Sequence, residues 1–169
     1  MIDFCNAEII VYPGAFGMRR QHLDEDSGVL QEWDDTLTGE CWERDPLILS
    51  LHDTVQAAEA PTSGYQVVAH EIAHKLDMLD GSMDGVPPLP DSAWHAAWVA
   101  DFQRAFDGLR ADVDAERETA IDPYAAEAPD EFFAVVSEYH FTDPQHLAKH
   151  MPAIAAHLAR FYHPGQRPV

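Results

Sequence analysis

Two histidines and a glutamate near the middle of the chain have the spacing of a metal site. His70 and His74 are four residues apart, and Glu71 follows the first of them, in the pattern His-Glu-x-x-His. On a helix, side chains four residues apart lie one turn from each other on the same face, so both imidazoles can bind one metal ion. Glu71 would then reach the attacking water molecule and accept its proton. The pattern predicts the catalytic centre of a zinc metallopeptidase.

The residues around this motif predict the helix that would carry it. Ser63 and Gln66 have the spacing of a capping box. Asp80 and Gly81 form a stop signal. We therefore expect a helix from about Gly64 to Leu79. An apolar stripe at helical spacing would attach it to the core, with the histidines on a neighbouring face; the stripe consists of Val68, Ile72, Leu76 and Leu79.

A third ligand must come from another part of the chain, because a catalytic zinc takes three protein ligands and keeps its fourth position for water or substrate. Residues 80–85 contain no histidine, which excludes the metzincin pattern. A later helix offers Glu131 and Glu138, seven residues apart on one face. Two helical turns separate them by about 10 Å, so only one can bind the metal directly. The other would orient a ligand histidine or face solvent.

Three further features allow a structural as well as a functional interpretation. Asp77 lies one turn after the motif and would either accept an imidazole N–H from a ligand histidine or be exposed. Glu40 and Trp42 would flank a peptide bound along an edge strand, with packing as the alternative for the tryptophan. His146 and His150 repeat the histidine spacing without the glutamate, and we interpret them as polar positions of an amphipathic helix.

The composition predicts one acidic domain. The chain has 169 residues, of which 46% are hydrophobic, and a formal charge of −20 at pH 7, so we expect a single domain over residues 1–169. The charge argues against nucleic-acid and membrane partners. No transmembrane or signal segment is visible, and we expect a cytoplasmic protein. Cys5 and Cys41 are expected to be buried thiols, with a single disulfide as the alternative.

The remaining patterns predict a sheet followed by helices. Residues 7–12 and 47–51 are strand-like, and residues 34–42 are a poorer strand candidate with a bend at Gly39. An aromatic stripe marks a helix capped by Asp91 or Ser92, and its members are Trp94, Trp98, Phe102, Phe106 and Leu109. Another helix is expected near residues 130–140. A final amphipathic helix carries Leu147, Met151, Ile154, Leu158 and Phe161. The fold class is therefore α+β, with a small sheet at about residues 7–51 packed on a mostly helical part at about residues 63–162.

Several longer stretches resemble the Mlc titration factor A family. They are Tyr12-Pro-Gly-Ala-Phe16, Leu37-Thr-Gly-Glu-Cys-Trp-Glu43, the motif helix continuing as Lys-Leu-Asp77, and Tyr124-Ala-Ala followed by Glu131-Phe-Phe-Ala-Val-Val-Ser-Glu-Tyr139. The resemblance runs from about residue 10 to residue 162. It implies a zincin-like fold similar to the catalytic domain of anthrax lethal factor. It also implies a zinc-dependent peptidase with aminopeptidase activity and a role in glucose regulation through a transcriptional repressor.

Carried over position by position, the resemblance implies a set of site residues. His70, His74 and Glu131 would bind one zinc ion. Glu71 would be the general base, and Tyr124 would stabilise the transition state of peptide hydrolysis. The rival interpretation is a non-catalytic binding protein that sequesters a repressor, in which case the zinc site would be structural and closed by four ligands. An endopeptidase with one dedicated protein substrate is a third possibility.

Overall fold

The computed structural model describes parts of the amino-terminal sheet region and an uninterrupted helical region. The described residues are 9–13, 16–23, 30–37, 39–40, 47–52, 54–55 and 66–163. Cys5, Cys41, Trp42 and Ser63 lie outside these residues, so what the sequence predicts for them stays a prediction.

The described residues of the amino-terminal part form two small sheets. Their strands are β1 (Ile9–Tyr12), β2 (Phe16–Leu23), β3 (Leu30–Leu37), β4 (Gly39–Glu40) and β5 (Leu47–Ser50). Strand β5 lies between β1, which runs parallel to it, and β4, which runs antiparallel. Strands β2 and β3 form an antiparallel hairpin that the sequence does not predict, because their charged and apolar residues do not alternate.

The strand predictions hold for β1 and β5 and fail for the residues that lie between these two strands in the chain. Both β1 and β5 are present, and β5 ends one residue before the predicted Leu51. The single bent strand predicted over residues 34–42 is wrong. Instead β3 begins at Leu30 and pairs within the hairpin, and β4 begins at Gly39 and pairs with β5.

The carboxy-terminal part is helical, which together with the sheets confirms the α+β class. Its helices are α1 (Val67–Asp77), α2 (Ser92–Asp114), α3 (Pro129–Thr142), α4 (Pro144–His150) and α5 (Pro152–Tyr162), with single 3₁₀ turns at Met78–Asp80 and Pro123–Ala126. A proline begins each of the last three helices, where its missing N–H costs nothing and its fixed φ suits the helix. Within the described part of the chain, no helix has both the length and the apolar character needed to cross a membrane.

Helix α1 is shorter than its sequence predicts. Gln66 has an extended backbone (φ −152°, ψ 87°), and its side chain accepts the N–H of Val68, so the helix begins at Val67 and not at Gly64. After Asp77 the chain continues as the 3₁₀ turn and stops at Gly81, whose left-handed φ of 91° ends the helix as predicted.

The buried face of α1 also differs from the predicted stripe. Leu76 is buried, but Leu79 is 50% exposed. Three polar residues of the helix, Glu71, His74 and Asp77, are buried although the prediction did not place them in the core. The reason is tertiary: α3 packs against α1 and covers the face that carries the motif. The chemical face of this helix is therefore turned into the protein.

The core is centred on the aromatic stripe of α2, which is buried as predicted. Asp91 caps this helix by accepting the N–H groups of Ala93 and Trp94. Trp98 stacks on Phe102 with a centroid distance of 4.2 Å and meets Phe133 of α3 at 5.7 Å. Each such aromatic pair stabilises the fold by about 0.5–1.5 kcal/mol beyond its buried area. These ring contacts pack α3 against α2.

The single final helix predicted from Leu147 to Phe161 is wrong, because two helices occupy this region. Pro152 lacks an N–H and disfavours a helical backbone at the residue before it. Met151 accordingly has φ −134° and ψ 63°, and the chain turns there between α4 and α5. On α4, the Nε2 atom of His146 lies 2.5 Å from the carbonyl oxygen of Ala120, a structural contact that agrees with the polar role predicted for this histidine.

Candidate metal centre

Helices α1 and α3 bring three predicted ligand side chains together. The Nε2 atom of His70 lies 3.2 Å from the Nε2 atom of His74. Glu131 comes from the first turn of α3, and its Oε2 atom lies 3.1 Å from Nε2 of His70 and 3.6 Å from Nε2 of His74. Two ring nitrogens and one carboxylate oxygen therefore face a common point.

The donor set fits a tetrahedral metal ion. Ligands about 2.1 Å from a tetrahedral zinc ion lie about 3.4 Å from one another. The three pairs of donor atoms are 3.1–3.6 Å apart, and all the candidate ligand atoms lie within 4.8 Å of each other. Among the described residues, no donor makes a well-oriented hydrogen bond to the buried Oε2 atom of Glu131, although Nε2 of both histidines lies close to it. Three lone pairs that converge in a buried site repel each other unless a cation or a proton lies between them.

Glu138 contacts the opposite side of the first histidine. Its Oε1 atom lies 2.8 Å from Nδ1 of His70, and its carboxylate also accepts the backbone N–H of Gln66. Only 3% of Glu138 is exposed. A proton on Nδ1 that is donated to this carboxylate leaves Nε2 free to bind a metal. Sequence spacing left the roles of the two glutamates open, and the structure places Glu131 at the converging donors and Glu138 behind the histidine.

The electrostatics of the cluster favour an ion pair. Burial acts to lower the pKa of His70, but the adjacent carboxylates of Glu131 and Glu138 outweigh it and raise that pKa to about 10. Burial opposes ionisation of Glu131, while the close imidazoles of His70 and His74 hold its pKa well below the usual range. The carboxylate is therefore ionised at neutral pH, and a metal ion would compete with the proton of His70.

Glu71 and Tyr124 complete the set of predicted site residues. Glu71 is 6% exposed on the same helix as the two histidines. The ring of Tyr124 lies 6.3 Å from that of His70, on the 3₁₀ turn that Pro123 begins, and its N–H is capped by Asp122. Burial, together with the charge and hydrogen bonding of Glu131, raises the pKa of Tyr124, so its hydroxyl keeps its proton and can donate it in a hydrogen bond.

Asp77 does not make the hydrogen bond that the sequence suggests. In the described structure neither Nδ1 of His74 nor Oδ1 of Asp77 has a hydrogen-bond partner. The Oδ2 atom of Asp77 instead accepts the N–H of Gly85 at 2.7 Å. Asp77 is fully buried, so the alternative of an exposed side chain is also wrong. Gly85 was missed in the sequence, and the only local signal for it is a glycine in a polar loop.

Comparisons with known proteins place these residues in a family. A model of the glucose-regulated metallo-peptidase M90 family matches residues 6–163. A protein of Serratia proteamaculans (strain 568) named Mlc titration factor A is 37% identical over 158 residues, which cover 92% of this chain and 59% of that protein. Its namesake in Yersinia pestis (strain Pestoides F) is 35% identical over 158 residues, or 92% of this chain and 57% of that protein.

These relatives are longer than the chain, which spans less than three fifths of their length. The match nevertheless includes every residue of the cluster around His70 and confirms the resemblance seen in the sequence. The chain therefore belongs to the glucose-regulated metallo-peptidase M90 family.

Proposed function

We propose that the chain is a zinc-dependent peptidase that removes residues from free amino termini, built as a single zincin-like domain. The observation that carries this proposal is the meeting of His70, His74 and Glu131 at spacings that suit a tetrahedral ion. A buried glutamate directly after the first histidine supports catalysis over mere metal storage, because Glu71 is not needed to hold the ion.

The chemistry divides between the zinc ion and three side chains. Zinc, when bound, lowers the pKa of water from 15.7 to about 7 and polarises a carbonyl oxygen. The Glu71 carboxylate accepts the proton of the attacking water and passes it to the nitrogen of the leaving amine. The Tyr124 hydroxyl donates a hydrogen bond to the oxygen on which negative charge develops. Glu138 holds the ring of His70 so that Nε2 keeps its direction.

Two features support a peptide with a free amino terminus as the substrate. The formal charge of −20 attracts a cationic end group. Strand β4 contacts α1 and lies at an edge of the three-stranded sheet formed by the described strands. An extended peptide can add to such an edge through main-chain hydrogen bonds, beside the helix that carries the two histidines.

The decisive experiment is hydrolysis of aminoacyl and peptide substrates by zinc-loaded protein with and without Glu71→Gln. We expect kcat to fall at least about 10²-fold while the zinc content is unchanged, because the amide keeps the shape of the side chain but cannot act as the base. Amino-terminally acetylated copies of the same peptides distinguish an aminopeptidase from an endopeptidase.

The matched control is Glu118→Gln, which makes the same chemical change at an exposed position. It should leave kcat unchanged. Equal turnover in Glu71→Gln and the parent would contradict the proposed base. Turnover of blocked and free peptides at the same rate would contradict the aminopeptidase.

A second candidate function rests on the name of the relatives. They are called Mlc titration factor A, which describes proteins that titrate Mlc. The corresponding proposal for this chain is capture of a similar transcriptional repressor without proteolysis. Bound zinc with four protein ligands, intact repressor in the complex and no turnover in the parent would favour it. Three protein ligands would favour the peptidase.

A further inference from the structure

Gly85 connects three helices through its backbone. Its N–H donates to Oδ2 of Asp77, the last residue of α1, at 2.7 Å. Its carbonyl oxygen accepts the Nε1–H of Trp98, in the core-facing stripe of α2, at 3.0 Å. Both partners are fully buried, so each contact fixes the glycine against a rigid element. Its φ of +78° is left-handed, a conformation that glycine adopts without strain.

The third connection is a close approach to α3. A Cβ atom at Gly85 would lie 2.4 Å from the carbonyl oxygen of Pro129 and 2.9 Å from its carbonyl carbon. Pro129 is the first residue of α3, and Glu131 follows it by two positions. The distance between the end of α1 and the start of α3 therefore depends on the absence of a side chain at residue 85.

We propose that Gly85 is a positioning residue of the metal centre, which sets the distance of Glu131 from the two histidines. The inference rests on the proposed zinc function. Glu138 ties α3 to α1 on the side of Gln66 and His70, two turns from Glu131. At their other ends Gly85 is hydrogen-bonded to the last residue of α1, and its Cα packs against the first residue of α3 too closely to admit a side chain. The third ligand lies between these two fixed points.

The size of the expected displacement is large compared with what a metal site tolerates. Ordinary van der Waals contact begins at 3.4 Å, and a Cβ atom at Gly85 would start at 2.4 Å from Pro129, so about 1 Å of movement is needed. Metal-ligand distances are held within about 0.2 Å. A shift of even half the required movement at the start of α3 would take Glu131 out of range.

The test is Gly85→Ala, with zinc affinity measured by competition against a chromogenic chelator. We expect the affinity to fall about 10- to 100-fold, the range for residues that support metal ligands. The absorption spectrum of the cobalt-substituted protein reports on ligand geometry independently of activity. We expect its ligand-field bands to shift or weaken in the variant.

Two other glycines provide matched controls. Gly81 has a similar left-handed φ of 91° in an exposed turn, so Gly81→Ala introduces comparable backbone strain outside the buried contacts of Gly85. Gly108 lies in α2, where a Cβ atom would meet no atom within 4 Å. We expect Gly81→Ala to lower Tm and Gly108→Ala to raise it, while both keep the parent's zinc affinity and cobalt spectrum.

The outcomes separate this inference from the proposed function. A folded Gly85→Ala protein with the parent's affinity and spectrum would overturn the positioning role, whatever its Tm. A parent protein that binds no zinc would instead overturn the proposed function. If Gly85→Ala does not fold, Trp98→Phe takes its place, because it removes the donor to the Gly85 carbonyl and keeps one aromatic ring in the core. The same loss of affinity supports the inference, and unchanged affinity and spectrum contradict it.

Discussion

Two glutamates on α3 have different environments although they share a residue type and a helix face. The Glu131 side chain is 20% exposed and faces Nε2 of both histidines. The Glu138 side chain is 4% exposed and faces Nδ1 of His70. A carboxylate at Nδ1 increases the basicity of the ring and fixes its tautomer, whereas one at the converging donors supplies charge to a cation. Position relative to one imidazole ring therefore separates a supporting residue from a candidate ligand.

Glu138→Gln tests this difference. The amide keeps the size of the side chain but loses the charge that strengthens the hydrogen bond from Nδ1 of His70. We expect zinc affinity to fall about 10- to 100-fold in a chelator competition. Glu118→Gln is again the matched control and should leave affinity unchanged. Parental affinity in Glu138→Gln would show that the carboxylate does not support the ligand.

Tyr124→Phe removes only the proposed donor to the transition state. Removal of one such donor typically lowers kcat by about 10²–10³. We expect a loss of this order for the best substrate, with zinc affinity and KM close to those of the parent, because the hydroxyl acts on the oxygen only as charge develops. A change confined to KM, measured by steady-state kinetics, would instead assign Tyr124 to substrate binding.

At the scale of elements, the end of α1 contains an acid whose charge is costly. Burial raises the pKa of Asp77 to about 6, although the hydrogen bond from Gly85 acts to lower it. The charges of Asp84 and Asp130 also raise it, and that of His74 lowers it. Between the ordinary aspartate pKa of 3.8 and about 6 the folded protein binds more protons than the unfolded chain, so stability falls as pH rises through this window.

Asp77→Asn should therefore stabilise the metal-free protein at pH 8. Asparagine does not ionise and still accepts the N–H of Gly85. We expect a higher Tm than the parent at pH 8 by differential scanning calorimetry, with a difference that shrinks below pH 4. Asp114→Asn, at an exposed position, should show no such dependence. A Tm difference that is the same at both pH values would contradict the origin in ionisation.

Elements with strong local signals could be predicted from the sequence. The aromatic stripe and the Asp91 cap of α2 lie within one stretch of chain, and both are as expected. The motif helix is also predicted from local periodicity and capping. Its predicted start is wrong, because the Gln66 side chain caps the helix and the first helical residue is Val67. Periodicity and caps act over a few residues, which is the range that a sequence pattern reports.

Features set by tertiary contacts could not be predicted in this way. The choice between Glu131 and Glu138 depends on how α3 lies against α1, since both occupy one helical face. The connection at Gly85 joins residues that are 8 and 44 positions away in the chain. The packing of α3 against α1 also buries the face of α1 that carries the motif, whereas the sequence pattern predicts a buried stripe that includes Val68, Ile72 and Leu79. A single sequence carries no record of such pairings.

At the scale of the whole molecule, the dominant property is the charge of −20. Like charges on a compact surface repel each other and destabilise the folded state, and added salt screens them over about 10 Å at 0.1 M. We expect Tm to rise between 10 mM and about 300 mM sodium chloride, with the metal removed so that zinc binding does not contribute. A Tm that is constant or falls would indicate that local ion pairs outweigh the overall repulsion.

The ties at both ends of the α1–α3 pair have a consequence for how the protein opens. Glu138 joins the two helices through hydrogen bonds at one end, and at the other end Gly85, bonded to Asp77, packs closely against Pro129, so separation at either end disrupts specific contacts. We therefore expect the backbone amides of both helices to exchange with deuterium as one cooperative unit. Uptake of the metal would then occur in a site that is already assembled, and its rate would be limited by loss of water from the ion and not by folding.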